Sequence, residues 1–591
     1  MHVGLLVNET ELETIRAKIR DHRWAENGCR RLKSQADQIF IGKRPANSTL
    51  NTLEAAAIYF RITGDDGYLS HVQSILERTE SFPDLFGTVS SSTYDFGCNT
   101  LATGHRLPHL CTILDLLWET LPDSVKDHVA DNLIRPAVEH LRTNDRRDSN
   151  WQTAHSTGLL AAGLVLADKA TVDFALNDPD HGLIRHMTTS FLSDGLHWEG
   201  SFGYHWGTLR NFLLSAEMVR HTGVDLYSEG DETPYIKRML DVPLEMAFPD
   251  RSLPVNNDAG HSSLDELHQD YELAYARYQD SAYGWVFKDS DRTSLYALLF
   301  GEPEVCTETP NSRSTTLAQS GWTSLKEVEG FDYWNSKGMA VVLDHGPHGD
   351  WHGHPDKLGI ELFANGLKWI GNEGSPVGYH CQQHWEYFRT TLAHNTVVVD
   401  FQDQHFVRAG DDVYQDLEYT GELIACELEG SPKTVSASVN WVYEGVEYKR
   451  NLSIDSNGLR DLFELVSDKV HTYDYILHGR GKVEPVELEM VRNRLPQETG
   501  GYEYFVNTSR GTTGDDSTFV FKDGGWPDGR FVPTGRALEV TIVGTPETEI
   551  FTGYGPSHLA GVYVPFLLVR RGGVDTTFQT TIRSICSEDE S

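Results

Sequence analysis

Cysteine and positive charge are both scarce in this sequence of 591 residues. The 7 cysteines are scattered, odd in number and form no Cys-x-x-Cys pair. This pattern argues against a disulfide framework and against a cysteine-rich zinc site. The lysines and arginines number 50 against 87 acidic residues, which gives a formal net charge of −37. Binding to nucleic acid is therefore not expected, because phosphate contacts need a basic surface.

A long apolar run is missing as well. No stretch approaches the roughly 20 apolar residues that cross a bilayer, so no association with a membrane is expected. Residues 1–9 lack the basic start and the apolar stretch of a signal peptide. The sequence as it stands predicts a cytoplasmic protein, or a periplasmic or secreted one if a signal peptide has been removed. Its oligomeric state is not indicated.

Apolar residues are nevertheless plentiful enough for large cores, with 39% hydrophobic and 10% aromatic residues. A chain of this length exceeds one ordinary core, so two or three domains are expected. Asn8, followed by two glutamates, marks the start of a first helix. Many helix pairs in series predict a solenoid or an (α/α) toroid. The helical patterns cover residues 52–62, 107–121, 124–141, 153–166, 209–221 and 234–247.

From about residue 320 the helical periodicity gives way to short apolar runs. Two of them flank Asn365-Gly366, a strong hairpin signal, and residues 446–454 alternate as a half-exposed antiparallel strand does. The second half therefore predicts a large antiparallel β-sandwich. The expected fold class is α+β and multidomain. The expected boundaries are a helical (α/α) toroid over 1–312, a central antiparallel β-sandwich over 313–500 and a C-terminal β region over 501–591.

Four histidines crowd one glycine-rich segment between two strand-like runs: His345, His348, His352 and His354. Side chains two positions apart on an extended backbone point the same way, so His352 and His354 can face one site together. One could bind a metal ion while the other handles a proton. The alternative interpretation is a polar surface loop.

Three segments carry further polar and aromatic residues. Residues 148–155 open a helix with Asn150-Trp151, and residues 193–205 carry Asp-Gly and Glu-Gly-Ser before Tyr204. The third segment runs from His352 to the block Phe-Arg-Thr-Thr-Leu-Ala-His-Asn-Thr-Val at 388–397. In these segments the chain resembles the heparinase II/III-like superfamily of polysaccharide lyases, which includes heparinases, exolytic alginate lyases and broad glycosaminoglycan lyases. The resemblance covers most of the chain.

The resemblance implies β-elimination from a uronate-containing polysaccharide, which gives a product with a 4,5-unsaturated uronate. Such a reaction needs a group that neutralises the carboxylate, a base for the C5 proton and an acid for the leaving oxygen. The resemblance assigns neutralisation to Asn150, with His155 as a second candidate. It makes Tyr204 the acid and a candidate base, and His352 the base for uronates of the opposite C5 configuration. The alternatives are a helix N-cap for Asn150, a core histidine for His155 and a packing aromatic for Tyr204.

The resemblance also implies one divalent metal ion, bound by His354, Asn372 and His394. The family has an aspartate where this sequence has Asn372, so Glu373 is an alternative third ligand. Imidazole ligands favour Zn²⁺, and Mn²⁺ and Ca²⁺ are the alternatives.

The expected partner is an anionic uronate-containing polysaccharide or oligosaccharide. Glycosaminoglycans (hyaluronan, chondroitin and heparan sulfate) are favoured, and alginate is a close second. Exolytic action is expected if residues 94–106 close one end of the cleft. Arginine can clamp a carboxylate or sulfate through two hydrogen bonds, although each arginine could instead form a surface ion pair. The candidate substrate-binding residues are His105, Arg106, Arg210, Arg389 and Tyr379.

Two other classes of function are compatible with a helical toroid. A glycoside hydrolase would need two opposed carboxylates, for which Asp194, Glu199 and Asp350 are available, but no pair stands out. A carbohydrate-binding protein without activity would not need the combination of Asn150, Tyr204 and His352.

Overall fold

A computed structural model of the chain describes residues 3–40, 49–82, 85, 100–144, 146, 149–405, 418–525 and 531–586. The chain divides into two compact units. The first unit comprises Met1–Gly195, His205–Asp241 and Asp265–Thr309, and the second comprises Leu196–Tyr204, Val242–Leu264 and Pro310–Ser591. Within the described ranges, no helix has the length and apolar character needed to cross a membrane.

The described part of the chain contains 15 α-helices, α1 to α15. They are Glu9–Asp21, Arg23–Ala36, Thr49–Thr63, Asp66–Arg78, Thr100–Leu116, Asp123–His128, Arg135–Arg142, Asn150–Val165, Lys169–Asn177, Leu183–Thr189, Phe202–Val219, Tyr235–Met246, His268–Tyr278, Ser281–Phe287 and Leu295–Phe300.

The first helix starts where the sequence predicts. The Asn8 side chain accepts a hydrogen bond from the Glu11 backbone N–H, and the Glu11 side chain accepts one from the Asn8 backbone N–H. This reciprocal capping box satisfies two backbone donors at the helix end. The predicted helix 124–141 is less regular, because a π-helical turn at Val129–Ile134 interrupts it. Pro136, which cannot donate to the preceding turn, lies two residues after its end.

The second unit contains 19 described strands, β1 to β19. They are Thr315–Leu317, Trp322–Lys326, Ala340–Asp344, Ile360–Ala364, Leu367–Ile370, Val397–Val399, Glu422–Glu427, Lys433–Ser438, Val446–Asp455, Gly458–Ser467, His471–His478, Lys482–Pro485, Val491–Arg492, Val506–Thr513, Ser517–Gly525, Val532–Ile542, Thr548–Pro556, Tyr563–Gly573 and Thr576–Cys586.

These strands form three antiparallel sheets. The first has five strands in the order β1-β2-β3-β4-β5. The second has eight in the order β12-β15-β16-β19-β10-β9-β8-β7, and the third has six in the order β13-β14-β17-β18-β11-β6. Strands from both sides of position 500 therefore share the two larger sheets. The predicted order of a helical part followed by antiparallel sheets is confirmed.

Local sequence explains two features of these sheets. The hairpin between β4 and β5 turns at Asn365 and Gly366, whose φ angles are 49° and 79°, as a tight hairpin turn requires. In β9 the side chains of alternate residues are buried, including the charged Arg450. Arg450 is accommodated because its guanidinium donates two hydrogen bonds to the carboxylate of Asp461, on the neighbouring strand.

A small apolar cluster holds the segment around residues 384–398 against the six-stranded sheet. Phe388, Leu392 and Val398 are buried in one core with Phe551 and Phe566 of that sheet. This packing fixes the backbone on both sides of Arg389 and His394. The strongest block of the sequence motif is thus anchored by its own apolar residues.

Candidate active site

Three separate segments of the second unit are joined by one asparagine side chain. The amide of Asn257 donates to the Glu199 carbonyl at 2.8 Å, and its oxygen accepts from the His354 backbone N–H at 3.0 Å. The Asp258 backbone N–H donates to the His352 carbonyl at 3.0 Å. These bonds place Glu199, Asp258 and the His-x-His motif side by side.

Two tyrosines and one histidine meet at this junction. The hydroxyls of Tyr204 and Tyr379 are 2.9 Å apart, and Tyr379 donates to Asp258 Oδ2 at 2.8 Å. Since the Tyr379 proton goes to Asp258, the Tyr204 hydroxyl donates to the Tyr379 oxygen. The Tyr204 ring stacks on the His352 ring, with centroids 3.6 Å apart and planes at 23°. Tyr204, His352 and Tyr379, three of the residues predicted from sequence, therefore lie in one cluster.

A buried glutamate orients His352. Glu199 Oε1 lies 2.7 Å from His352 Nδ1, and the Glu199 side chain is only 5% exposed. Burial alone would lower the pKa of His352, but the charge and hydrogen bond of Glu199, together with the charge of Asp258, outweigh it and the pKa is raised. With the Nδ1 proton held by Glu199, the neutral ring presents Nε2 as its proton acceptor. Glu199 would also stabilise the imidazolium that forms when Nε2 takes up a proton.

Both phenols of the cluster are held in the protonated form. Burial raises the pKa of Tyr204 strongly, and the charges of Asp258 and Glu199 raise it further. The pKa of Tyr379 is raised by burial and by the Asp258 charge. Asp258 itself stays ionised. Burial would raise its pKa, but the hydrogen bond to His354 and the positive charges of His354, His352 and Arg389 together lower it to about 2. Tyr204 is thus a proton donor at neutral pH.

The two histidines predicted as metal ligands face each other. His354 Nε2 lies 3.0 Å from Asp258 Oδ1, and His354 Nδ1 lies 3.3 Å from His394 Nε2. Two nitrogens bound to one tetrahedral zinc ion at about 2.0–2.1 Å would be about 3.3–3.4 Å apart. Asp258 supports His354 in the way that a carboxylate commonly supports a metal-bound histidine. The pair therefore fits a divalent ion.

A small buried cavity beside His394 is lined by further oxygen donors. Asn372 and Asp356 both line it, and burial raises the pKa of Asp356 to about 7. Asn372 Oδ1 accepts from the Gly374 N–H at 2.9 Å, so it closes a turn and keeps one lone pair for an ion.

Glu373 points elsewhere, since it contacts Ser557 and His558 instead. Asp356, which the sequence analysis did not single out, is therefore a better candidate carboxylate here than Glu373.

Asn150 and His155 lie in the first unit, on α8. Ser149 is the N-cap of this helix, since its Oγ accepts from the Trp151 N–H. The N-cap interpretation of Asn150 is therefore wrong, because Asn150 is the first helical residue. His155 is fully buried, and burial lowers its pKa to about 3, so the ring is neutral.

The predicted substrate-binding residues have different surroundings. His105 and Arg106 lie on α5 of the first unit, while residues 94–99 of the predicted cleft-closing segment lie outside the described residues. Arg210, also in the first unit, forms a two-pronged ion pair with the buried Asp270, with N–O distances of 2.7 and 3.1 Å.

Arg389 is buried, donates to the Gly353 carbonyl and lies over the Trp385 ring.

Sequence reasoning missed the roles of Asn257 and Asp258 and considered Glu199 only as an acid of a hydrolase. The polar run Asn256-Asn257-Asp258 after an apolar stretch was the available signal. It is weak, because such runs are typical of ordinary turns.

Models of two domains match this sequence. The Heparinase II/III N-terminus model covers residues 68–283, and the Heparinase II/III-like, C-terminal model covers residues 309–536. Together they span most of the chain. The chain belongs to the heparinase II/III-like family of polysaccharide lyases.

Individual relatives of this family member are distant. An exo-oligoalginate lyase of Saccharophagus degradans is 22% identical over 516 residues, covering 79% of this chain and 68% of the relative. A heparin-sulfate lyase of Bacteroides thetaiotaomicron is 20% identical over 301 residues, covering 48% and 40%. A solved heparinase III matches with a TM-score of 0.63 and 15% identity, covering 99% of this chain and 85% of that one. This likeness confirms the predicted fold class, a helical toroid followed by a β-sandwich.

Proposed function

We propose that the protein cleaves uronate-containing polysaccharides or oligosaccharides by β-elimination. The observation that carries this proposal is the stack of Tyr204 on His352 at 3.6 Å, with the Tyr379 hydroxyl 2.9 Å from that of Tyr204. It places a protonated phenol beside an imidazole whose pKa is raised by a carboxylate. One group can donate a proton while the other accepts one.

In the proposed reaction, His352 Nε2 removes the C5 proton of the uronate. The electrons of that C–H bond form the C4–C5 double bond, the bond from C4 to the glycosidic oxygen breaks, and Tyr204 donates its proton to this oxygen. Glu199 stabilises the imidazolium. After cleavage His352 releases its proton to solvent and the Tyr204 phenolate takes one up, which restores both groups. For the opposite C5 configuration, Tyr204 is the candidate base. Neutralisation of the substrate carboxylate is assigned to Asn150 on the strength of the family resemblance.

A divalent ion, for which Zn²⁺ is the first choice, belongs to the proposal. It would be held by His354 and His394 with Asn372 or Asp356 as the oxygen ligand. When bound, such an ion would supply rigidity and positive charge beneath the loops that carry His352 and Asp258. The proton transfers themselves are proposed for Tyr204 and His352.

Hydrolysis of a glycosidic bond fits the site less well. It would need two carboxylates free to act on opposite faces of a sugar. Glu199 is hydrogen-bonded to His352, and Asp258 is hydrogen-bonded to Tyr379 and His354. Both carboxylates are thus partners of other catalytic candidates.

Alginate oligosaccharides are the substrate that we propose first, with glycosaminoglycans second. The relative named an exo-oligoalginate lyase aligns over 79% of the chain, whereas the relative named a heparin-sulfate lyase aligns over 48%. Arg389 is buried, donates to the Gly353 carbonyl and lies over Trp385, so part of its guanidinium is already engaged within the protein. A net charge of −37 also disfavours the more densely charged sulfated chains. This order reverses the preference drawn from sequence.

The test is to incubate the protein with alginate, hyaluronan, chondroitin and heparan sulfate in turn and to monitor the ultraviolet absorbance of each reaction. A conjugated unsaturated uronate absorbs ultraviolet light, and products of hydrolysis do not. We expect the absorbance to rise fastest with alginate oligosaccharides and to fail to rise with a Tyr204→Phe variant. Release of reducing ends without absorbance on every substrate would refute β-elimination.

We also propose exolytic action, since the relative with 79% coverage is named for it. Products sized by chromatography should then be small from the first time point. An early spread of intermediate sizes with a rapid fall in viscosity would show endolytic cutting.

A further inference from the structure

Three side chains of the second unit, away from the His354–His394 pair, form a compact group: His261, Glu373 and His558. In the described part of the chain, this is the one group of three or more His, Cys, Asp or Glu side chains whose candidate ligand atoms all lie within 4.8 Å of one another. We propose that it binds a divalent metal ion of the zinc class. The site is distinct from the one that the family resemblance implies.

The carboxylate of Glu373 organises this group. Its Oε2 lies 2.6 Å from His558 Nδ1, and it also accepts from the His558 backbone N–H at 2.5 Å and from the Ser557 hydroxyl at 3.1 Å. These bonds hold the carboxylate and the imidazole edge to edge. A metal ion would replace the hydrogen that Nδ1 and Oε2 now share, and Ser557 would keep the carboxylate in place.

His261 supplies the third donor. Its ring lies over that of His558, with centroids 3.8 Å apart and planes at 33°. The ring is also partly open to solvent, so an ion can enter and water can complete its coordination. Ligand atoms spread over 4.8 Å need to close by about 1–1.5 Å to share one ion.

The donor set suits zinc better than harder cations. Two imidazole nitrogens, one carboxylate oxygen and a water molecule are a common set for a four-coordinate Zn²⁺. Ca²⁺ prefers six to eight oxygen ligands and Mg²⁺ an octahedron of oxygens, neither of which two histidines provide.

An ion at this position would tie three loops together. His261 lies three residues after Asp258, Glu373 follows Asn372, and His558 lies between β17 and β18. Besides these side-chain contacts, the Ser375 N–H donates to the Ala259 carbonyl at 3.1 Å and joins the first two loops through their backbones. The proposed ion thus has a positioning role, since it would fix the loop that carries Asp258.

Zinc binding to the whole chain, freed of metal by a chelator, tests this site without any substrate. Titration calorimetry would compare the wild type with His261→Ala and Glu373→Gln. Loss of a partner beyond the direct ligands typically costs about 10–100-fold in metal affinity, so loss of a direct ligand should cost at least as much. We expect the affinity for one zinc ion per chain to fall by at least that factor in both variants. Replacing Zn²⁺ by Co²⁺ should give visible absorption bands that disappear in His261→Ala.

Two control variants separate this site from others. His471→Ala removes a histidine that pairs with the Asp400 carboxylate at 2.7 Å and should leave the zinc equivalent intact. His354→Ala affects the other predicted metal site and should leave this equivalent intact as well. Identical zinc affinity and stoichiometry in the wild type and in His261→Ala would overturn the proposal, as would loss of the same equivalent in His354→Ala. Either result leaves the proposed lyase activity untouched.

Discussion

At the scale of single residues, the proposed reaction assigns protonation of the leaving oxygen to the phenol of Tyr204. The Tyr204→Phe variant keeps the ring that stacks on His352 and removes only the hydroxyl. Loss of general acid catalysis should lower the turnover number by about 10²–10⁴-fold. Steady-state kinetics on a substrate from the panel would measure it, with circular dichroism as the check on folding.

A second tyrosine provides the matched control. Tyr473 lies on β11, and its hydroxyl donates to the Val574 carbonyl at 3.1 Å. Tyr473→Phe should cost about 0.5–1.5 kcal/mol of stability, as the loss of one hydrogen bond does, with turnover unchanged. Near-normal turnover of Tyr204→Phe, or an equal loss in both variants, would exclude Tyr204 as the acid.

Asp258 is the residue that connects the two parts of the site. It accepts from Tyr379 through Oδ2 and pairs with His354 through Oδ1. Asp258→Asn keeps the size but removes the charge and one acceptor. Turnover should fall by about 10–100-fold, the range found when the partner of a metal-bound histidine is removed, and metal content should fall with it. Full activity and full metal content would show that Asp258 has no such connecting role.

The residues of the site were predictable from sequence to different degrees. Tyr204, His352, His354 and His394 lie in motifs with distinctive neighbours, so local sequence singles them out. The partners Glu199 and Asp258 are not distinctive locally. Their roles depend on contacts across 153 and 96 positions of the chain, which only the folded structure reveals.

At the scale of elements, the turn after β5 fixes the distance between two loops of the site. Gly374 has a φ of 62°, and a Cβ at this position would lie 2.1 Å from the Ala259 carbonyl oxygen. Gly374→Ala should destabilise the protein by about 2 kcal/mol or more, because left-handed backbone strain adds to overpacking. Urea unfolding would measure the change, and turnover should fall as the Asp258 loop is displaced.

Gly371 is the matched position in the same turn. A Cβ there would lie 3.5 Å from the Lys368 Cδ, which is ordinary contact. Gly371→Ala should therefore change the free energy of unfolding by less than about 1 kcal/mol. Equal effects of the two substitutions would show that the close approach of Gly374 to Ala259 is not a constraint.

Elements with a strong local signal were predictable. The Asn365-Gly366 turn and the capping box at Asn8 were foreseen because a few neighbouring residues determine them. The π-helical turn at Val129–Ile134 was not, since its sequence fits an ordinary helix and only the following Pro136 hints at an irregularity.

At the scale of the whole molecule, buried neutral histidines should make the helical unit sensitive to acid. His186 on α10 is fully buried, and burial lowers its pKa from 6.5 to about 3. Below pH 6.5 the unfolded chain binds a proton at this position and the folded chain does not. Above pH 6.5 this histidine therefore does not affect the free energy of unfolding. As the pH falls from 6.5 toward 3, it lowers the free energy of unfolding by about 1.4 kcal/mol per pH unit.

The His186→Gln variant isolates this effect. Its free energy of unfolding should fall less steeply with decreasing pH than that of the wild type, by about 1.4 kcal/mol per pH unit below 6.5. Urea unfolding at a series of pH values, followed by helical circular dichroism, would measure both slopes. Parallel curves would show that the pKa of His186 is the same in the folded and the unfolded protein.

The order of the two structural parts was predictable, because the first half of the sequence has helical periodicity and the second half has short apolar runs. Which segments make up the second unit was not predictable. It includes Leu196–Tyr204 and Val242–Leu264, which lie among helices in the sequence. They belong to the second unit through packing, and they bring Tyr204, Glu199 and Asp258 to the histidines.

The central claim is that the glycosidic bond is broken by elimination and not by water. The most direct test is to let the enzyme act on an alginate oligosaccharide in water labelled with heavy oxygen and to determine the product masses by mass spectrometry. Elimination predicts a fragment that is lighter than the hydrolysis product by one water molecule, with no label in either fragment. A saturated fragment that carries one labelled oxygen would contradict it.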